Sequence, residues 1–324
     1  MAKCCIGIDL GGTFIKFVLL DENLSPSRTI ELPTSWQEGP AALVGQMVAG
    51  SQRLMEKQAV APDNIVAVGI GSPGPIDIAQ GLIIEAPNIP GMRNFPLRDS
   101  VSRALGLPAV LENDANAAAY GEYVCGAGRG SRIMVMLTLG TGVGSGIIID
   151  GRILHGSHGL GGELGHMIVV PDGEPCGCGQ KGCLERYCSA TYLAMLASRK
   201  AREEGRQGIL AEAVRQGRDI DARAVNEARK AGDALAGEVW DMAAYHLAIG
   251  CVNICRIFDP EIIVLSGGLT RAGEDLLRPL EHHFNRLHWR LTEPRTRLAI
   301  ASLGADAGAI GAAGVAWRAS RQQE

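Results

Sequence analysis

Apolar positions along this chain fall into short unbroken runs, each closed by glycines. Residues 3–24, KCCIGIDLGGTFIKFVLLDENL, hold two such runs around DLGGT, which predicts a β-hairpin with a glycine-rich connection. The theme returns at 131–149, SRIMVMLTLGTGVGSGIII, as strand, glycine turn and strand. Between them, residues 40–58 follow a helical period, and 64–77, NIVAVGIGSPGPID, reads as a buried strand running into a proline- and glycine-bound loop. Residues 107–112 predict a short strand, followed by a helix with Asn113 or Asp114 as its cap. Downstream, 190–257 is dominated by helical signals and 260–270, PEIIVLSGGLT, is a strand entering a glycine turn. Residues 271–291 read as a helix, RLAIAS as a strand, and DAGAIGAAGVAWRAS as a small-residue helix able to pack closely. Two strand–turn–strand units suggest a duplicated architecture rather than one doubly wound sheet.

Composition narrows the class. A chain of 324 residues has room for two domains or one large one, and 46% hydrophobic with 20% charged residues is ordinary for a globular protein. The net charge of -4, with both signs interleaved, builds neither a nucleic-acid footprint nor a polybasic membrane segment. No apolar run is long enough to span a bilayer, and MAKCCIGIDLGGTF reaches an aspartate and a glycine pair before a targeting segment forms. Nine cysteines, several too close in sequence for easy mutual disulfides, set the expectation of a reducing, cytoplasmic setting where cysteine clusters are ligands.

The glycine turns carry the first chemistry. Asp9-Leu10-Gly11-Gly12-Thr13 sets glycine N–H groups beside a hydroxyl and a carboxylate, suited to phosphate oxygens with Mg²⁺ between carboxylate and phosphate. The bland reading is a tight hairpin. Thr138-Leu139-Gly140-Thr141-Gly142-Val143-Gly144-Ser145-Gly146 is stronger, because alternating glycines weaken a strand unless a ligand or a close approach offsets the loss. Ser266-Gly267-Gly268 ends a strand and suits a flat base or sugar edge. Gly69, Gly71 and Gly74 spell a G-x-G-x-x-G, but Pro73 and Pro75 interrupt it and no helix pattern follows, so a Rossmann site is not expected. No G-x-x-x-x-G-K-[ST] occurs, which excludes a Walker-type site.

Asp114 stands in Glu112-Asn113-Asp114-Ala115-Asn116 at a strand's end, where it could accept the proton of an attacking hydroxyl while Asn113 orients the acceptor. Helix capping is the competing explanation; the phosphate-type turns elsewhere favour the catalytic one. Cys176-x-Cys178-x₄-Cys183, with glycines at 177, 179 and 182, lets the chain fold back around one ion. A structural Zn²⁺ takes tetrahedral N and S ligands, and the fourth is His166 or Cys188. Cys188 lies in LERYCSA, already entering a helix, which favours His166. Glu163 and Glu185 bracket this set, so a closed metal knot would fix two carboxylates suited to vicinal hydroxyls; the alternative is two solvent-facing charges.

With DLGGT, ENDANAAAYGE, LGTGVGSG, GELGH and CGCGQKGCLE in this order, residues 5–316 resemble the ROK family of bacterial sugar kinases and sugar-responsive repressors, most closely its glucokinase branch. The resemblance implies an α/β, actin-like ATPase fold: two RNase H-like domains with an interdomain cleft. It would place the first domain at 1–117 with a returning helix at about 304–324, and the second, with the zinc loop, at 118–303. It implies ATP:hexose 6-phosphotransfer, with glucose as first choice and N-acetylmannosamine, fructose, mannose or allose as alternatives; a non-enzymatic sugar sensor ranks below these. By carry-over, Asp9, Gly11, Gly12 and Thr13 would meet the ATP phosphates and Mg²⁺. Thr138, Gly140, Thr141 and Gly142 would form the second phosphate turn, and Gly267 and Gly268 the adenosine wall. Asn113, Glu163, His166 and Glu185 would hold sugar hydroxyls, Gly74 and Asn88 would line the pocket, and Asp114 would be the base. His166 would serve Zn²⁺ and sugar through its two ring nitrogens, alongside Cys176, Cys178 and Cys183. Repressor members carry a DNA-binding module before DLGGT, whereas eight residues precede Asp9 here, so no nucleic-acid partner is expected. A homodimer or homotetramer, and ATP or polyphosphate as donor, follow from the resemblance alone.

Overall fold

The computed structural model describes residues 3–85, 92–203, 205–289, 291 and 295–321. The opening hairpin forms where the apolar runs place it. β1 (Cys4–Leu10) runs antiparallel to β2 (Phe14–Asp21), and β3 (Ile30–Pro33) adds to the far side of β2. Helix α1 (Gly39–Gln58) leads to β4 (Ile65–Ser72), parallel to β1. The chain after β4 turns into strands rather than a helix, as the interrupting prolines require. β5 (Ile76–Asp77), β6 (Leu82–Glu85) and β7 (Arg93–Phe95) make a small antiparallel sheet, followed by α2 (Leu97–Leu105), β8 (Ala109–Asn113) and α3 (Asp114–Cys125).

The second hairpin is β9 (Ile133–Leu139) and β10 (Val143–Ile149), with β11 (Arg152–Ile153) paired on β10. The helical stretch that follows resolves into α4 (Glu185–Cys188), α5 (Ala190–Ala201), α6 (Ile209–Arg215), α7 (Ala222–Lys230) and α8 (Ala234–Phe258). β12 (Ile262–Ser266), α9 (Glu274–Leu287), β13 (Arg297–Ile300) and α10 (Ala307–Arg321) complete the chain.

The two large sheets run β3-β2-β1-β4-β8 and β11-β10-β9-β12-β13. Place for place the orders are the same: a hairpin with a third strand outside it, then two parallel strands added beyond the first. The duplication suggested by the repeated hairpin is therefore a duplication of topology, the RNase H-like arrangement of an actin-like ATPase twice over. By internal contacts the chain divides into one unit of 1–131, 146–161 and 302–324 and another of 132–145 and 162–301. α3 runs through the 117/118 boundary implied by the resemblance and lies wholly in the first unit, where it packs on α10.

Alternation along β2 explains the first unit's core. Phe17 faces α1 and α2 with Met47, Leu54 and Leu97, while Val18 and Leu20 face α10 with Ala309, Ala313 and Trp317. Each of these large side chains contributes about 1.5–3 kcal/mol on burial. On the α10 side the contact is backbone against backbone: a methyl on Gly7 or Gly69 would collide with the main chain of Ala309 or Ala312, and one on Gly311 with Ala117. The small-residue pattern of α10 is thus what lets it lie on the sheet. Among the described residues no helix is long and apolar enough to cross a membrane.

Candidate functional site

In the first unit the chemistry gathers at strand ends. β1 and β8 flank β4 and terminate in Asp9-Leu10 and Asn113, with Asp114 opening α3. Asp9 is half-buried, and burial first, then the negative charge of Asp114, push its carboxyl up to about 6; Lys16 works against both. Lys16 is itself held by the Ala305 carbonyl at 2.9 Å and by Asp306 at 3.5 Å. The turn after Asp9 has its carbonyls occupied: Gly11 O accepts from Thr34 Oγ1 at 2.9 Å, Gly12 O from Trp36 Nε1 at 2.5 Å and Thr13 O from Thr34 N at 2.9 Å. What Gly12 and Thr13, both exposed, have left to offer a ligand is their N–H edge.

Asn113 reconciles two explanations that look like rivals in sequence. Its Oδ1 caps α3, accepting from Ala115 N at 3.0 Å and Asn116 N at 3.2 Å, while its Nδ2 lies 3.8 Å from where a Cβ on Gly74 would sit. Capping therefore aims the residue instead of consuming it, and it brings Gly74 and Asn113 together. Asp114 is exposed, with Oδ1 accepting from Ala115 N at 2.8 Å. Asn88 lies outside the described residues. Behind this turn, Glu112 pairs with His155, a histidine that carries no motif signal and sits 43 positions away.

In the second unit the matching hairpin ends in Thr138-Leu139-Gly140, and β12 sets Ser266 beside Thr138, so Thr138, Gly140 and Gly267 meet at the ends of β9 and β12. Thr138 Oγ1 is buried and has no hydrogen-bond partner among the described residues. A buried hydroxyl in that state is worth explaining, and a phosphate oxygen or a metal-bound water is the partner this turn chemistry suggests. Gly140 N donates to Gly142 O at 3.0 Å, closing the turn around an exposed Thr141. Gly267 has φ of 91° and a side chain there would strike the Leu139 backbone, whereas Gly268 opens on free space.

His166, Cys176, Cys178 and Cys183 converge, with all four ligand atoms within 4.8 Å of one another. Cys176 Sγ lies 3.7 Å from His166 Nδ1, and Cys178 Sγ 3.6 Å from Cys183 Sγ. Tetrahedral Zn²⁺ with bonds of roughly 2.0–2.3 Å sets its ligand atoms roughly 3.3–3.8 Å apart, so the donor set fits that ion. Cys188 stands apart, its thiol donating to Leu184 O at 3.3 Å inside α4. Glu185 is half-buried and tied to the phosphate-type turn: its Oε2 accepts from Val143 N at 2.9 Å, and its Oε1 is 3.9 Å from Cys176 Sγ. Glu163, exposed, precedes the short 3₁₀ turn Leu164–His166. The cysteine loop thus holds one of the two flanking glutamates firmly and leaves the other in solvent.

Comparisons with known proteins converge on one family. A family model described as ROK family matches residues 5–319. A glucokinase of Halalkalibacterium halodurans is 38% identical over 307 residues, 94% of this chain and 92% of the relative. An N-acetylmannosamine kinase of Citrobacter koseri is 34% identical over 313 residues, 95% and 97% of the two chains. The crystal structure of a ROK family glucokinase from Streptomyces griseus in complex with glucose and AMPPNP superposes with a TM-score of 0.76 at 34% identity, covering 97% of this chain and 99% of that one.

Proposed function

The chain belongs to the ROK family, and from that premise we propose that it is an ATP-dependent hexose kinase, a glucokinase, acting on the 6-hydroxyl of glucose. The observation that carries this reading is the pair of carboxylates at the ends of β1 and β8, one half-buried and one exposed, close enough for one charge to raise the other's pKa. Asp114 accepts the O6 proton. A bond forms between O6 and the γ-phosphorus, the bond from that phosphorus to the β–γ bridging oxygen breaks, and ADP leaves. Asn113, Glu163, His166 and Glu185 hold the remaining sugar hydroxyls, with Gly74 and Asn88 lining the pocket.

Gly12 and Thr13, and Thr138, Thr141 and Gly142, stabilise charge on the phosphates through N–H and hydroxyl groups. Gly11 and Gly140, whose N–H groups close their own turns onto Phe14 O and Gly142 O, shape the two phosphate loops, while Gly267 and Gly268 accommodate the adenosine. Mg²⁺, which Asp9 would hold directly or through water, supplies charge neutralisation at the phosphates. Zn²⁺, which His166 Nδ1 and the three thiolates would hold, would supply rigidity and no chemistry, leaving His166 Nε2 for the sugar. The reducing cytoplasm suits these thiols, and a homodimer or homotetramer is the assembly the family suggests.

The decisive experiment couples ADP release to a sugar panel with wild type and Asp114→Asn. Wild type should rank glucose first by kcat/KM, and the variant should bind glucose while turnover falls by about 10²–10⁴-fold, the general-base range. Near-normal turnover in the variant removes Asp114 as base. The similarity to an N-acetylmannosamine kinase favours a second reading, the same chemistry on another acceptor, and glucose ranking below N-acetylmannosamine would put that reading first.

A further inference from the structure

Glu112 is 2% exposed, and its two oxygens are taken up on three sides. Oε1 accepts from Asn113 N at 2.9 Å and from Asn116 Nδ2 at 3.0 Å, while Oε2 receives His155 Nε2 at 2.8 Å. A carboxylate at that depth persists only when its oxygens are satisfied. The consequence is geometric: a single buried group grips the residue before Asp114 and the residue two after it. These are the N-cap and the first turn of α3, whose direction sets where the Asp114 carboxylate points.

His155 is the more exposed member of this arrangement. It sits just after β11, partly exposed, and its own carbonyl accepts from Gly161 N at 2.8 Å, closing a compact loop with positive φ at Gly156 and Gly159. The Glu112 hydrogen bond holds its imidazole above the ordinary histidine range, opposed by burial and by Arg318 from α10. Neither residue belongs to the sugar, phosphate or metal sets described above.

We propose that Glu112 and His155 are a positioning pair for phosphoryl transfer: together they fix the Asn113–Asp114 turn so that Asp114 meets the attacking hydroxyl. The inference deepens the kinase reading and rests on Asp114 as its base. Asn113 also keeps its own cap bonds to Ala115 and Asn116, so its side chain stays aimed when the pair is lost. Loss of the pair therefore acts on turnover, since displacing a reacting group by a fraction of an ångström is costly even when binding survives.

The test measures kcat, KM and glucose affinity by calorimetry for His155→Phe, His155→Gln and Glu112→Gln beside Asp114→Asn, with the melting temperature of each. His155→Phe should lose about 10–100-fold in kcat while glucose affinity moves less than about 3-fold. His155→Gln, which keeps a donor for Glu112, should restore most of that loss. A His155→Phe enzyme with kcat within about 2-fold of wild type, or a His155→Gln enzyme as impaired as His155→Phe, overturns the pair. Should His155→Phe fail to fold, the conservative variants decide: His155→Gln near wild type with Glu112→Gln reduced in kcat at unchanged glucose affinity supports the pair, and any other ranking overturns it. Asp114→Asn separates the two levels. If it turns over normally, the base assignment falls and takes this inference with it; if it is inactive while His155→Phe is normal, only the pair falls.

Discussion

The first hairpin of each sheet ends in the same way and carries opposite cargo. Asp9-Leu10-Gly11 closes β1 and Thr138-Leu139-Gly140 closes β9, at equivalent places in two sheets of identical order. At the first position one unit sets a carboxylate whose pKa is pushed up to about 6, and the other a buried hydroxyl with no partner among the described residues. Both groups are poorly satisfied by the protein itself. One is short of counter-charge, which a cation would supply, and the other lacks a hydrogen-bond partner among the described residues, which a phosphate oxygen would supply. The comparison teaches that topology fixes where a ligand-facing group stands, while a single side chain decides which part of the ligand it suits.

The strongest way to break the comparison is Asp9→Asn. Turnover should fall by about 10²-fold or more, the scale of losing one electrostatic partner at the transferring group. Stability should move the other way. A raised carboxyl pKa means the folded state binds its proton more tightly than the unfolded chain, so wild-type stability falls as pH rises from about 4 to about 6 and stays lowered above that. Asp9→Asn escapes this fall and should be more stable at pH 7 by on the order of 2–3 kcal/mol, measured by denaturant unfolding at pH 4 and 7. Equal stability at both pH values would remove the strain assigned to Asp9.

Next in size is Cys176→Ser, which targets a loop pinned by a metal-type donor set that, among the described residues, only the second unit has. Zinc content should drop and KM for glucose rise by about 10–100-fold, with kcat at saturating sugar less affected, because Glu185 and His166 lose their fixed orientation. Metal loss with unchanged KM would detach the cluster from the sugar. The smallest effect sharpens the comparison. Thr138→Val removes an unpaired buried hydroxyl and should stabilise the ligand-free protein by about 1 kcal/mol while raising KM for ATP about 10-fold. Destabilisation would mean that the hydroxyl already has a partner within the protein.

Strands and hairpins were legible because their apolar runs are long and their turns are written in glycine: Cys4–Leu10, Phe14–Asp21, Ile133–Leu139 and Ile262–Ser266 all fall inside the expected segments. The three short strands between Ile76 and Phe95 were not, since two to four residues with mixed burial give no countable period. The cysteine cluster was readable from local spacing, and His166 joins it across a gap of 10 residues. The Glu112–His155 pair was not readable. Its members are joined by tertiary folding alone, and a lone histidine followed by glycines signals nothing in particular.

The seat of α10 has a consequence for how the protein is made. This helix closes one face of the first sheet through main-chain contacts at Gly7 and Gly69 that no larger residue could replace. It is translated after the whole of residues 162–301. During synthesis the earlier part of the first unit waits with Val18, Leu20 and Ala67 uncovered, so the nascent chain carries a sticky apolar face until α10 is made. The two units can mature in the reverse of the order in which their first strands are translated: the second can close first, and the first is sealed by α10.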